Sequence, residues 1–169
     1  MWPTRPHTAP PCTPRLSAAA TATGWPARRV GRRGGSDGDG RPDGHLASDD
    51  GSVRHTGDNL TGGAGTGGDD ESIVVDLTRV PARVDQIVFT VNSFNGQTFA
   101  EVQNAFCRLI DETTGTGLAR YTLTGGGRHT AQIMAKVRRG AGGWEMKAIG
   151  EPASGRTFQD LLPTIKTYP

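Results

Sequence analysis

The feature that most constrains this chain is a series of short alternating apolar runs, each closed by turn residues, from residue 72 onward. Every second position is apolar in residues 73–77, 87–91 and 133–137, and a similar run spans 118–123. The separating turn segments contain Pro81, Asn95-Gly96, TTGTG at 113–117, TGGG at 124–127 and RGAGG at 139–143. A period of two is typical of strands buried on one face, and these connections are too short for crossover helices. The sequence therefore predicts an all-β fold, an antiparallel β-sandwich.

Two stretches are also compatible with helices. TFAEVQNAFCRLID at 98–111 has apolar residues at helical spacing, but its second half alternates as a strand buried on both faces would. We therefore predict a turn or short helix at 98–104 followed by a strand. TFQDLLPTI at 157–165 is predicted to be helical for only one or two turns, because Pro163 lacks the amide hydrogen that a helix interior uses.

Residues 1–47 differ from the rest of the chain in composition. They hold seven of the eleven prolines, seven arginines and no Ile, Phe or Tyr. Such a segment buries too little apolar surface to offset the entropy of ordering it. The sequence therefore predicts a disordered Pro/Arg/Gly-rich head at 1–47 and a β-sandwich domain at 48–169. RRVGRR at 28–33 is a weak signal for nucleic acid, and a solvated head is the simpler interpretation.

The stretch TGDNLTGGAGTGGDDE at 56–71 concentrates oxygen-bearing side chains on both sides of a glycine-rich spacer. The candidate ligands are Asp58, Asn59, Asp69, Asp70 and Glu71. Calcium takes about six to eight oxygen ligands, and consecutive carboxylates repel each other unless a cation or solvent screens them. The residues alone leave two interpretations open: a calcium site formed when the loop folds back, or a solvated acidic loop.

The chain has no recognisable arrangement for covalent catalysis. Its histidines outside the head are His55 and His129, and its serines there lie in no nucleophile-elbow motif. Cys107 lies in an apolar run and is predicted to be a buried, inert thiol. With Cys12 as the other cysteine, there is neither a CxxC motif nor a disulfide framework, which favours a reducing compartment. We therefore predict a cytoplasmic protein that is not an enzyme and has no membrane span.

Two further motifs are predicted to be structural. TGGGRHT at 124–130 lacks the GK[ST] of a phosphate loop and precedes a predicted strand, so we expect it to close a hairpin. Trp144 follows a glycine-rich turn and is predicted to anchor the core.

From about Asp50 to Ile165 the chain resembles the TerD family of tellurium-resistance and general stress proteins. The matching stretches, in order, are DGSVRHTGDNLTG, GDDESIVVDLTRVP, IVFTVNSFNGQTFAEVQNAFCRLID, LARYTLTGGGRHTAQIMAKV and WEMKAIGEPASGRTFQDLLPTI. The resemblance is specific because several motifs keep the same order and spacing. It implies a β-sandwich that binds calcium through acidic loops, the GDN at 57–59 and the GDDE at 68–71. By that resemblance the ligands are Asp58, Asn59, Asp69, Asp70 and Glu71.

The resemblance ends before about Ser48. Family members begin with a strand-rich half that contains a GWD segment and an aspartate-rich strand, whereas Pro26 follows Gly24-Trp25 here. One hypothesis is that residues 1–47 are a frame-shifted reading of a GC-rich gene, which translation of the upstream DNA in the other frames would test. If the head is as written, we expect an N-terminally incomplete sandwich with exposed sheet edges and weakened calcium binding.

Together, the residues and the resemblance predict a calcium-binding protein associated with tellurium resistance and general stress response. Ca²⁺ is the expected cofactor, and protein partners in a stress-response complex are expected. The alternative is a small-molecule or cyclic-nucleotide-binding module on the same scaffold. Nucleic acid is not an expected partner.

Overall fold

The computed structural model of the protein describes residues 15–23, 47–58, 71–93 and 96–168. Its elements are β1 (Arg15–Thr23), β2 (Val53–Asp58), β3 (Glu71–Asp76), β4 (Gln86–Asn92), β5 (Gln103–Asp111), β6 (Thr116–Thr122), β7 (Ala131–Gly140), β8 (Gly143–Ala153) and α1 (Phe158–Ile165). The strands form a five-stranded sheet in the order β2-β3-β1-β5-β6 and a three-stranded sheet in the order β4-β7-β8. All of these pairings are antiparallel, so the predicted antiparallel β-sandwich is confirmed.

The main core lies between the two sheets. Val75 and Leu109 from the five-stranded sheet belong to the same buried cluster as Phe89 and Val137 from the three-stranded sheet. Three of these four residues occupy positions of the alternating runs, which places the apolar side of each run against the opposite sheet. The alternation therefore predicts both the strands and the face that each strand buries.

β7 is buried on both faces because the five-stranded sheet lies on one side and α1 on the other. All seven residues from position 131 to 137 are buried. Ile133 packs with Leu161 of α1 in a second cluster, whereas Ala135 belongs to the main core. The register between β7 and β8 shifts between Ile133 and Ala135. This irregularity allows two residues that are two positions apart to face opposite sides of the sheet.

Trp144 anchors the core, as predicted. Its indole Nε1 donates a hydrogen bond to the carbonyl oxygen of Leu77 at 3.2 Å. The guanidinium of Arg139 lies 4.4 Å from the centroid of the Trp144 ring. The same guanidinium donates to the carbonyl oxygens of Val80 at 2.7 Å and Val84 at 3.0 Å. These contacts tie the β7–β8 hairpin to the connection that carries the chain from β3 to β4.

The two stretches with helical spacing adopt the predicted structures. In residues 98–111, a turn at 99–101 precedes β5, so the interpretation as a turn followed by a strand is confirmed. In residues 157–165, α1 has eight residues, which is about two turns, and Pro163 lies in its second turn.

The prediction that TGGGRHT at 124–130 closes a hairpin is wrong. This segment follows β6 of the five-stranded sheet and leads into β7 of the three-stranded sheet. Gly125 and Gly127 have φ angles of 75° and 78°, a region that favours glycine, so the turn chemistry is as expected. The composition of a connection indicates a turn but does not indicate which sheet the next strand joins.

The structure also differs from the predicted disordered head at residues 1–47. Nine of those residues form β1, which pairs with β3 on one side and with β5 on the other. After Arg15 the strand RLSAAATAT is apolar at every second position, but three of these four residues are alanines, so the alternation is a weak signal and the pairing rests on backbone hydrogen bonds that composition does not reveal. β1 therefore covers the edges of β3 and β5 that an incomplete sandwich would expose. The remainder of the predicted head, 1–14 and 24–46, lies outside the described residues.

The pairing of β1 can be tested by hydrogen exchange. We expect the amides of β1 to exchange slowly, because an interior strand donates its amide hydrogens to the ladders on both sides. Hydrogen-exchange mass spectrometry on the full chain would compare peptic fragments covering β1 with fragments covering β5. Exchange of the β1 fragment at the rate of an unstructured peptide would contradict this pairing.

The packing of α1 on β7 predicts unequal effects for two neighbouring leucines. Leu161 is 1% exposed, and Leu161→Ala should lower the free energy of unfolding by about 2–5 kcal/mol. Leu162 is 38% exposed, and Leu162→Ala on the same helix should change it by only about 0.5 kcal/mol. Urea denaturation measures both values, and equal losses for the two variants would contradict the docking of α1.

Candidate functional site

The predicted metal ligands lie around the connection between β2 and β3. Asp58 is the last residue of β2, Glu71 is the first residue of β3, and the antiparallel register places them opposite each other. Asn59, Asp69 and Asp70 lie outside the described residues. The structure therefore brings two of the five positions together, and the metal-binding role of all five stays a prediction.

A β-bulge decides which residue of β2 lies opposite Glu71. The pairing of β2 with β3 is regular up to His55, which lies opposite Ile73. The next pair is Asp58 with Glu71, so β2 uses three residues where β3 uses two. In an unbroken register, Gly57 would lie opposite Glu71. The extra residue thus places a second acidic residue at this end of the hairpin.

Asp58 and Glu71 thus occupy opposed backbone positions, and both residues are acidic. Like charges directly opposite each other on antiparallel strands destabilise the pair, and a bound cation would offset that repulsion. Glu71 is partly buried, so water screens its carboxylate less than it would on an open surface. The donor chemistry of these two residues fits a hard cation that prefers oxygen ligands.

The described residues supply only part of a coordination sphere. Within residues 15–23, 47–58, 71–93 and 96–168, no group of three or more His, Cys, Asp and Glu side chains could hold a metal ion. A calcium ion bound near Asp58 and Glu71 would therefore need further oxygens from residues 59–70, the main chain or water.

Cys107 is the sulfur nucleophile among the residues that the structure describes. It lies in β5, is 0% exposed and belongs to the main core. Burial raises the pKa of its thiol to about 12, so little thiolate exists at neutral pH. The prediction of a buried thiol is confirmed, and its raised pKa makes it a poor nucleophile. The prediction that the protein is not an enzyme stays a prediction.

Three arginines lie together at the other end of the β2–β3 hairpin, and no sequence motif predicts this grouping. Arg15, Arg54 and Arg79 line a cavity of about 360 Å³, together with Asp76; we call it the arginine cavity. Arg15 reaches this position because β1 pairs with β3, which places it opposite Asp76. Residues so far apart in the chain share no spacing rule, so sequence reasoning had no signal by which to group them.

Among the residues that the structure describes, no helix is long and apolar enough to cross a membrane. The cytoplasmic location predicted from the sequence stays a prediction.

The chain was compared with known families and proteins. A family model described as the TerD domain matches residues 44–164, which include β2 to β8 and nearly all of α1. The chain belongs to the TerD family. The match confirms the resemblance that the motifs between Asp50 and Ile165 indicate.

Similar TerD-family proteins carry names that refer to tellurium resistance and stress. The chain is 51% identical over 120 residues to the tellurium resistance protein TerZ of Serratia marcescens, covering 71% of this chain and 61% of that protein. It is 38% identical over 125 residues to the stress response protein SCP2 of Bacillus subtilis, covering 70% of this chain and 61% of that protein. The match thus spans about three fifths of the length of each relative.

Solved structures show the same fold. A crystal structure of a homologue of the telluride resistance protein TerD from Streptomyces coelicolor aligns with a TM-score of 0.56 and 21% identity, covering 89% of this chain and 85% of that one. A second crystal structure, titled as the protein of unknown function SAV2460, aligns with a TM-score of 0.57 and 22% identity, covering 94% of this chain and 92% of that one. At these identities the likeness concerns the fold alone.

Proposed function

We propose that this chain is a calcium-binding protein of the TerD family that takes part in tellurium resistance and the general stress response. The observation that carries the calcium proposal is the position of Asp58 opposite Glu71, at the end of the hairpin that borders the stretch TGDNLTGGAGTGGDDE. The names of its relatives, which refer to tellurium resistance and stress, support the physiological part of the proposal.

In this proposal, Asp58 and Glu71 are two carboxylate ligands on neighbouring strands. Asn59, Asp69 and Asp70 adjoin them in the sequence and supply an amide oxygen and two further carboxylates. These five side chains, with water or main-chain oxygens, reach the six to eight oxygens that calcium takes. Bound calcium would supply positive charge that offsets the repulsion among four carboxylates.

The sandwich provides a rigid base for such a site. β3 begins at Glu71 and, four positions later, buries Val75 in the main core at 1% exposure. A cation that joins the ends of β2 and β3 would therefore act on a strand that is already held by the core. We propose that the ordered hairpin end, on a cytoplasmic protein, presents a surface to protein partners in a stress-response complex.

Calcium should stabilise the folded chain. A ligand that binds only the folded state raises its stability, by about 2.7 kcal/mol at a hundred times the dissociation constant. We expect Ca²⁺ to raise the thermal unfolding midpoint of the full chain and a chelator to reverse the change. Asp69→Ala, Asp70→Ala and Glu71→Gln should each reduce the shift, because each removes one anionic ligand.

The matched control for these variants is Asp85→Ala. Asp85 is an exposed acidic residue just before β4, away from the β2–β3 connection. This variant tests whether loss of any negative charge reduces the shift of the unfolding midpoint that calcium causes. An unchanged calcium response in Glu71→Gln, or an equal loss in Asp85→Ala, would contradict the proposed site.

The resistance role can be tested separately in cells. Expression of the full chain in a tellurite-sensitive bacterium should raise the tellurite concentration that permits growth. The double variant with Asp69→Ala and Asp70→Ala should give less protection at matched protein levels, and Asp85→Ala should protect as well as the unaltered chain. Failure of the unaltered chain to protect would contradict the resistance role, and equal protection by the double variant would contradict its dependence on calcium.

A further inference from the structure

The arginine cavity lies at the opposite end of the β2–β3 hairpin from the proposed calcium site. β3 runs from Glu71 at one end to Asp76 at the other. Five residue steps of about 3.3 Å separate these two residues by roughly 16 Å. The cavity, at about 360 Å³, is at the lower end of the range of about 300–1,000 Å³ typical of small-molecule sites. It is therefore a separate place on the molecule with room for a small ligand.

Different elements bring the three arginines to this cavity. Arg15 begins β1 and lies opposite Asp76 of β3, and Arg54 in β2 lies opposite Val74 of the same strand. Arg79 lies in the turn that follows β3. All three arginines are exposed, so a ligand from solvent has access to their guanidinium groups.

The backbone around Asp50 holds Arg79 in place. Nη2 of Arg79 donates a hydrogen bond to the carbonyl oxygen of Asp50 at 3.0 Å. Gly51 leaves room for this approach, since a Cβ at that position would lie 2.8 Å from Nη2, and its φ of 65° favours glycine. The guanidinium is thus positioned by a main-chain contact, which leaves its other N–H groups available to an acceptor.

The turn that contains the Asp50 carbonyl is stabilised by hydrogen bonds to the Asp50 side chain. The carboxylate of Asp50 accepts hydrogen bonds from the hydroxyl of Ser48 at 2.7 Å and the backbone N–H of Ser52 at 2.8 Å. Hydrogen bonds from Ser52 and Ser48 lower the pKa of Asp50 to about 2, and the charge of Arg83 acts in the same direction. The Asp50 carboxylate is therefore engaged within its own turn.

The charges that line the cavity favour an anion. Asp76 is the acidic residue among the lining residues, and its Oδ1 accepts hydrogen bonds from the backbone N–H and the hydroxyl of Thr78. These Thr78 hydrogen bonds are the main cause that lowers the pKa of Asp76, and Arg15 also contributes. With Asp76 ionised, the three arginines leave a net charge of +2 on the lining residues.

We propose that the arginine cavity binds a phosphate group, either as the free ion or on a small phosphomonoester. Guanidinium groups present planar pairs of N–H donors that match the oxygens of phosphate, and charge-assisted hydrogen bonds of this kind are stronger than neutral ones. A doubly charged phosphate group matches the net charge of the lining. The proposal does not depend on calcium binding at the other end of the hairpin.

Phosphate titration of the full chain tests this proposal. At constant ionic strength, inorganic phosphate should raise the thermal unfolding midpoint and bind measurably by calorimetry. Arg54→Gln and Arg79→Gln should each weaken phosphate binding about tenfold or more, since each removes charge-assisted hydrogen bonds. Arg128→Gln is the matched control. Arg128 is an exposed arginine in the β6–β7 connection, which begins at the end of the five-stranded sheet away from the arginine cavity.

The results separate the possible outcomes. Loss of phosphate binding in Arg54→Gln and Arg79→Gln, with binding retained in Arg128→Gln, supports the site. The same titration with adenosine 5′-monophosphate identifies the source: tighter binding than inorganic phosphate indicates a phosphomonoester, and weaker binding indicates the free ion. No response to either probe, or an equal loss in all three arginine variants, would overturn the proposal. Because Glu71→Gln should leave phosphate binding unchanged, failure here is distinguishable from failure of the calcium site.

Discussion

The backbone pairing of β1 is the constraint on which the rest of the described structure depends. In the sheet order β2-β3-β1-β5-β6, β1 joins one hairpin to the other through ladders on both of its sides. Without it, β3 and β5 would each expose a row of unpaired main-chain groups. The same pairing carries Arg15 to the position opposite Asp76, so the strand supports both the sheet and the arginine cavity.

The β2–β3 hairpin carries acidic residues at one end and borders the arginine cavity at the other. Asp58 and Glu71 lie opposite each other where the hairpin continues into the glycine-rich stretch, and Arg54 lies toward the other end. The core holds the hairpin between these ends through Val75. The two ends are separated by about the length of a six-residue strand. One rigid hairpin can therefore hold a cation at one end and an anion at the other, because the charged ligands of the two sites interact only weakly at that distance.

The parts of the fold that the sequence predicts are those with local signatures. Alternation at 73–77, 87–91 and 133–137 predicts strands that the structure contains, because one buried face imposes a period of two. β1 is not predicted because the alternation in RLSAAATAT consists almost entirely of alanines within a Pro/Arg-rich segment, and the strand is stabilised by neighbours distant in the chain. TGGGRHT shows the related limit: its glycines indicate turns, but the sheet that β7 joins depends on long-range packing.

By itself, the sequence determined the sandwich class, the TerD family and the acidic residues worth testing, since alternation, turn residues and ordered motifs are all local. Only the tertiary structure decided that Asp58, rather than Gly57, lies opposite Glu71, because a one-residue bulge sets that register. It also decided that Arg15, Arg54 and Arg79 share a cavity. Main-chain hydrogen bonds between distant strands create both arrangements, and such bonds leave no pattern in the side chains of either strand alone.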